Sequence, residues 1–171
     1  MITGTKSIFA VEYSYNSDLE RDWMMGRLCY WCSGVRCGNS LLDESLRDVL
    51  FETELMLSRY AYQRENVHLF REDTQSAFSQ LEGALYGDPD QEPDPRVDEE
   101  GWLRHLVSLQ GRVFSGVRVF LVEGDAAGRL LFRVDRGSSA TEATVPRGYV
   151  DSVLAEFTAR LRDRYRPPES K

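Results

Sequence analysis

The stretch Leu28-Cys29-Tyr30-Trp31-Cys32-Ser33-Gly34-Val35-Arg36-Cys37 decides the fold. Its first five residues are aromatic, aliphatic or thiol-bearing, a composition that suits a pleated, half-buried strand. Ser33-Gly34 is the kind of tight turn that joins antiparallel strands, and Val35-Arg36-Cys37 is expected to return as a short partner. The strand is expected to begin near Met24. Before it, Ile8-Phe9-Ala10-Val11-Glu12-Tyr13-Ser14-Tyr15 places Phe9, Val11, Tyr13 and Tyr15 on one face with period two, and Asn16-Ser17-Asp18 breaks the run. After it, Ser45-Leu46-Arg47-Asp48-Val49-Leu50 opens an amphipathic helix. Leu46, Val49, Leu50, Thr53, Leu57 and Tyr60 recur at three- and four-residue spacing, Asp43 is the expected N-cap, and Asp43, Glu44 and Asp48 complement the positive helix end.

The remainder continues the alternation of hairpins and helices. Asp73 or Thr74 can cap a second helix that carries Phe78, Leu81 and Leu85 on one face and stops at Gly87. Trp102 to Leu109 fits both periods and is expected as a strand through Leu103, His105, Val107 and Leu109. Val117 to Val122 is almost wholly apolar, as a central strand should be. The turn Gly124-Asp125-Ala126-Ala127-Gly128 leads it into Arg129-Leu130-Leu131-Phe132-Arg133-Val134. Arg136 to Ala143 is small and polar, hence loop. A last helix follows Pro146, burying Val150, Val153, Leu154, Phe157 and Leu161 and ending in Arg160, Arg162, Arg164 and Arg166, before Pro167-Pro168 and a frayed tail at 167–171. Together these elements predict one α+β domain over residues 1–171, with a mainly antiparallel sheet of about five strands and three helices packed on it.

Composition narrows the function classes. A 171-residue chain can bury about 70% of its unfolded surface, so it needs neither metal nor disulfide to fold. Hydrophobic content of 42% argues against global disorder. No apolar run approaches the roughly 18 residues that span a bilayer, and Met1 to Lys6 lacks a signal-peptide layout. A soluble cytoplasmic protein without membrane contact is expected. The net charge of −7 is concentrated in one Pro-rich loop, residues 88–100, where Asp88, Asp90, Glu92, Asp94, Asp98, Glu99 and Glu100 face only Arg96. Direct nucleic-acid binding is disfavoured, because it needs clustered Lys and Arg.

Catalytic and metal chemistry find little support. Cys29, Cys32 and Cys37 invite a Cys-x-x-Cys reading, but His68 and His105 are the only other soft ligands, and residues 29 and 32 of one strand point to opposite faces. Free structural thiols are expected. Neither histidine belongs to a recognisable constellation, and Gly-x-Ser-x-Gly, the P-loop and Gly-x-Gly-x-x-Gly are all absent. Glu44 and Asp48 share a helix face without further ligands, and the acidic loop lacks the spacing of a calcium loop. No cofactor, metal or catalytic residue is assigned.

A family resemblance is carried by Lys6-Ser7-Ile8-Phe9-Ala10-Val11-Glu12-Tyr13, Gly26-Arg27-Leu28-Cys29-Tyr30-Trp31 and Ser45-Leu46-Arg47-Asp48-Val49-Leu50-Phe51. Leu85-Tyr86-Gly87 and Val117-Arg118-Val119-Phe120-Leu121-Val122-Glu123 continue it. In that order the chain resembles the immunity protein 42 family of bacterial polymorphic-toxin systems. Cys32, Cys37 and the acidic loop depart from the pattern. The resemblance implies a non-catalytic antidote that binds a cognate toxin domain and blocks its activity. Toxin sites that act on nucleic acid are commonly basic, so a basic nuclease-like partner makes Asp88, Asp90, Glu92, Asp94, Asp98, Glu99 and Glu100 candidate contacts, steering association by charge. A solvated connector is the competing reading of that loop. The competing functions are a small enzyme using His105 with carboxylates, and a generic protein-binding scaffold.

Overall fold

A computed structural model describes residues 1–16, 24–87 and 99–165. Two antiparallel sheets organise it. In the first, β1 (Ile2–Thr5), β2 (Phe9–Tyr15), β3 (Met25–Cys32) and β4 (Val35–Cys37) lie in chain order, and the short β5 (Glu44–Ser45) pairs with the start of β3. The β3–β4 turn has positive φ at both Ser33 (49°) and Gly34 (82°), the backbone a two-residue I′ hairpin requires. Phe9 faces Cys32 and Val11 faces Tyr30 across β2 and β3, so the period-two alternation of both strands points one way. β1 was not expected from its composition. It forms by pairing Ile2 with Glu12 and Thr5 with Phe9, and the terminal ammonium donates to the Tyr13 carbonyl at 2.6 Å.

The helix α1 (Leu46–Tyr60) starts two residues later than Asp43 would place it. Glu44 and Ser45 remain extended because they pair with Gly26 and Met25. Ser45 therefore becomes the N-cap, its hydroxyl accepting from the Asp48 amide, while Asp43 accepts from Arg27 instead. A short α2 (Val67–Arg71) precedes α3 with no counterpart in the sequence expectation; five residues are too few to show a period, and Asn66 caps it by accepting from the Leu69 amide. In α3 (Thr74–Tyr86), Asp73 is the N-cap and Gly87 the C-cap, as the sequence predicts.

Residues 102–109 depart from the strand expectation. Trp102 and Leu103 close the helix α4 (Glu99–Leu103), and Leu106 alone makes a bridge to Phe120. The chain then passes through a 3-10 turn, Arg112–Phe114, into the second sheet, built from β6 (Arg118–Glu123), β7 (Ala127–Arg133) and β8 (Thr141–Pro146). β8 includes the end of the supposed loop 136–143. Only Val145 is buried along it, so its extended form comes from pairing with β7, not from an apolar pattern. β7 is the central strand of this sheet. β6 lies at its edge, which the backbone covers: Leu121 donates to His105, Val107 to Val119, and Glu123 to Arg64.

The continuous apolar character of β6 has a separate cause. Val119 and Leu121 enter a main core with Leu130 and Phe132, the inner face of the first sheet, α1, and the last helix α5 (Tyr149–Arg164). Phe120, Val122 and Leu131 point the other way, into a second core with Leu69, Phe78 and Leu81 of α2 and α3. β6 and β7 are thus buried on both faces, which is why they do not alternate. α5 buries Val150, Val153, Leu154, Phe157 and Leu161, all five expected residues. The α+β class and antiparallel pairing are as predicted; among the described residues the strands divide into two sheets, with five helices.

Candidate functional site

Buried polar groups hold the two sheets and the helices in one arrangement. Arg64, in the link between α1 and α2, is fully buried and places Nε 2.9 Å from Asp151 of α5, itself fully buried. Arg64 also donates to the carbonyls of Arg104 and Leu106, and Asp151 accepts from the Tyr62 amide at 2.8 Å. Nearby, buried Glu123 accepts from the Gly148 amide at the start of α5. Arg129 donates to the carbonyls of Leu69, Phe70 and Glu72 at the end of α2, and pairs with Glu142 at 2.6 Å. These groups tie backbone segments together, the use to which a rigid guanidinium fork is suited.

The histidines divide between core and surface. His68 is exposed and lies 3.3 Å from Glu72, one helical turn on. His105 is buried, and its Nδ1–H donates to the Leu121 carbonyl at 2.9 Å. Burial lowers its pKa from 6.5 to about 4, with Arg64 and Arg104 adding to the effect. Neither histidine lines the cleft beside Tyr86 and Arg118 or the one beside Arg27 and Arg36. A testable pH dependence follows. Above about pH 6.5 His105 is neutral in both folded and unfolded chains, and between there and pH 4 only the unfolded chain takes up the proton. Stability is therefore expected to fall as pH drops through that window, by up to about 1.4 kcal/mol per pH unit from this residue. Urea unfolding at several pH values should show a shallower acid slope for His105→Gln than for the wild type; equal slopes would refute the assignment.

The three cysteines are free and buried. Cys32 lies in the main core with Cys37, whereas Cys29 faces the opposite side of β3, as their spacing predicts. Burial pushes the Cys29 thiol up to about 11 and raises Cys32 well above its ordinary value, so neither is poised as a thiolate. Among the described residues no group of three or more His, Cys, Asp or Glu side chains is placed to hold a metal ion.

Of the expected acidic contacts, Asp88, Asp90, Glu92, Asp94 and Asp98 lie outside the described residues, and Glu99 and Glu100 open α4. Two other surfaces present side chains suited to a partner. The outer face of α1 exposes Phe51 and Leu55, with Tyr62 just beyond; Phe51 meets Tyr165 edge-on at 5.6 Å beneath Arg162, which pairs with Glu54. The second surface is a cleft of about 660 Å³ that includes Leu42, Tyr86, Leu109, Phe114, Arg112, Arg118 and Arg136 in its lining. Gly116, with φ of 80°, turns the chain there, and a Cβ at that position would lie 3.6 Å from the Arg136 side chain. The Arg118 guanidinium stacks on Tyr86, 3.9 Å from the ring centroid.

The arginines of this cleft come from three separated segments, so no local motif announces them. One signal was nonetheless available. The β6–β7 hairpin was expected, and its register sets Arg118 directly opposite Arg133.

Comparison with known proteins places this geometry. Residues 1–160 match the family model described as immunity protein 42. The chain belongs to the immunity protein 42 family. Among solved structures, this family member is similar to the crystal structure of CdiI from Burkholderia dolosa AUO158. The TM-score is 0.73 and the identity 20%, over 94% of this chain and 99% of that one. At that identity the likeness is one of fold. No curated protein matches. For an immunity protein 42 member, the two exposed surfaces and the acidic segment are the places where partner recognition can be sought.

Proposed function

We propose that this immunity protein 42 member neutralises a cognate polymorphic-toxin domain by binding it and blocking its activity, without catalysis. The match of residues 1–160 to the family carries the reading. The fold supports it: two cores and a buried polar network provide a rigid scaffold, which limits the ordering cost of association. No described helix is long and apolar enough to cross a membrane. A cytoplasmic antidote that meets the toxin where it acts is consistent with that, and its reduced thiols fit the same compartment.

The acidic residues Asp88, Asp90, Glu92, Asp94, Asp98, Glu99 and Glu100 are proposed to steer the protein toward a basic, nuclease-like toxin. Co-expression with the toxin domain encoded in the neighbouring reading frame should restore growth, and the purified pair should form a complex. Reversing Asp90, Asp94, Asp98 and Glu99 to lysine should then lower the association rate at low salt by about tenfold, with little effect at high salt. An unchanged on-rate would return the loop to a connector. Growth arrest in spite of the immunity protein would refute neutralisation of that toxin.

A further inference from the structure

The second sheet holds two like charges face to face. Arg118 of β6 and Arg133 of β7 are direct cross-strand partners, an arrangement that costs stability unless the charges are met. Both side chains lie on the α3 side of the sheet, where Arg133 pairs with Glu82 and sits over Phe78. One turn further along α3, the position equivalent to Glu82 is Tyr86, and it is this ring that receives Arg118. Arg118 thus gains an aromatic face, and its Nη1 donates to the Val117 carbonyl at 2.8 Å, but among the described residues it meets no carboxylate. Its Nε is buried without a hydrogen-bond partner.

Arg112 and Arg136 add two more cations to the same cleft, both exposed, and among the described residues neither they nor Arg118 form an ion pair. Among the described residues no acid lines the cleft. Among the described residues, Glu44 lies beside Gly111, and Glu52 is already accepting from the Gln110 amide at 2.6 Å. Leu42, Leu109 and Phe114 supply apolar wall between the cations. Arg133, Arg129, Arg147, Arg160 and Arg162 pair with carboxylates, whereas the three arginines gathered around this one cleft have no such partner among the described residues.

We infer that this cleft is a docking site for an acidic segment of the partner toxin, whose carboxylates are gripped by Arg112, Arg118 and Arg136. The inference rests on the toxin-binding reading above and names the chemistry of one contact. Guanidinium forks take carboxylates in paired, charge-assisted hydrogen bonds, and Arg and Tyr beside an apolar wall are the residues that dominate interface energies. A protein carboxylate fits better than a nucleic-acid backbone. The apolar wall of Leu42, Leu109 and Phe114 between the cations suits the side chains of a protein segment, whereas an unbroken line of phosphates would leave it unmatched.

The test uses the full-length protein and the purified toxin domain from the neighbouring reading frame. Because Arg118 is half-buried, the principal variant is the exposed pair Arg112→Glu/Arg136→Glu, with Arg118→Gln as a second. The double variant is expected to weaken toxin binding by about 100-fold, mostly through faster dissociation, and Arg118→Gln by about tenfold. The melting temperature of the free double variant should stay the same or rise. Wild-type affinity in both variants, with the wild type binding the toxin, would overturn the cleft assignment and leave the toxin-binding reading intact. Failure of the wild type to bind the toxin would overturn both. A fall of several degrees in the free variant's melting temperature would show that the arginines already hold an internal anion, and would overturn the docking site. So would displacement of the toxin from the wild type, but not from the double variant, by a 12-nucleotide single-stranded RNA that binds the wild type alone, because the cleft would then be a nucleic-acid site.

Discussion

Replacing Asp151 by alanine is expected to destabilise the protein by about 3–5 kcal/mol, because it strands the fully buried Arg64 guanidinium without its counter-ion. For a chain of this size that corresponds to a fall in melting temperature of roughly 10 °C. The Asp151 carboxylate also accepts from the Tyr62 amide, so the variant leaves a second donor unmet at the end of α1. Arg64→Met removes the cation but orphans the Arg104 and Leu106 carbonyls that Arg64 now satisfies. The double variant Arg64→Met/Asp151→Ala should therefore cost less than the two single losses added together, with a coupling of about 1–3 kcal/mol. Urea unfolding of the four proteins measures this. Simple additivity, or a loss below about 1 kcal/mol for Asp151→Ala, would mean that the pair is solvated and does not lock α5 to the α1–α2 link.

Phe120→Ala should be similarly damaging, at about 3–5 kcal/mol, but through packing. Phe120 is fully buried in the second core and meets Phe78 of α3 edge-on, with centroids 5.2 Å apart. Truncation leaves a void between α3 and the second sheet that neither rigid neighbour can readily close. Its local consequence distinguishes it from the Asp151 variant. Faster amide exchange is expected first in α2 and α3, while β2 and β3 of the other sheet stay protected. α3 also carries Tyr86 to the arginine cleft, so partner affinity should weaken even though Phe120 touches no solvent. Uniform loss of protection across both sheets would show that the two cores unfold as one unit.

The opening hairpin was legible because its information is local. Alternation in Phe9–Tyr15, the aromatic run to Cys32 and the Ser33-Gly34 turn are properties of adjacent residues, and they recur unchanged in the pairing of β2, β3 and β4. The same holds for α1, α3 and α5, each long enough for its apolar stripe to show a period. Elements without such a period were missed. β1 and β8 are polar enough to read as loop, and α2 spans a single turn and a half; pairing and capping by distant groups supply what their own composition lacks. Residues 102–109 misled because apolar residues there serve two contexts, the end of α4 and one bridge to β6.

Partner recognition was the least legible feature. The acidic run 88–100 stands out in composition, since like charges cluster in contiguous residues. Arg112, Arg118 and Arg136 do not cluster in the chain, and that none of them pairs with an acid among the described residues appears only once Glu82 has been seen to reach Arg133 and Tyr86 to reach Arg118.

Tyr30 and Trp31, the aromatic centre of the deciding stretch, show the same division. That they occupy one strand, with side chains on opposite faces, follows from their neighbours and the period of two. What each side chain meets does not. Tyr30 packs against Phe9 and Phe114 with its hydroxyl buried and unpartnered, while Trp31 donates to Glu12 beneath Lys6 and Arg36. Backbone class and family membership were thus readable along the chain, because turns, caps and periods act over a few residues. The second core, the Arg64–Asp151 pair 87 residues apart and the arginine cleft arose only on folding, because burial and charge pairing depend on which distant segments are brought together.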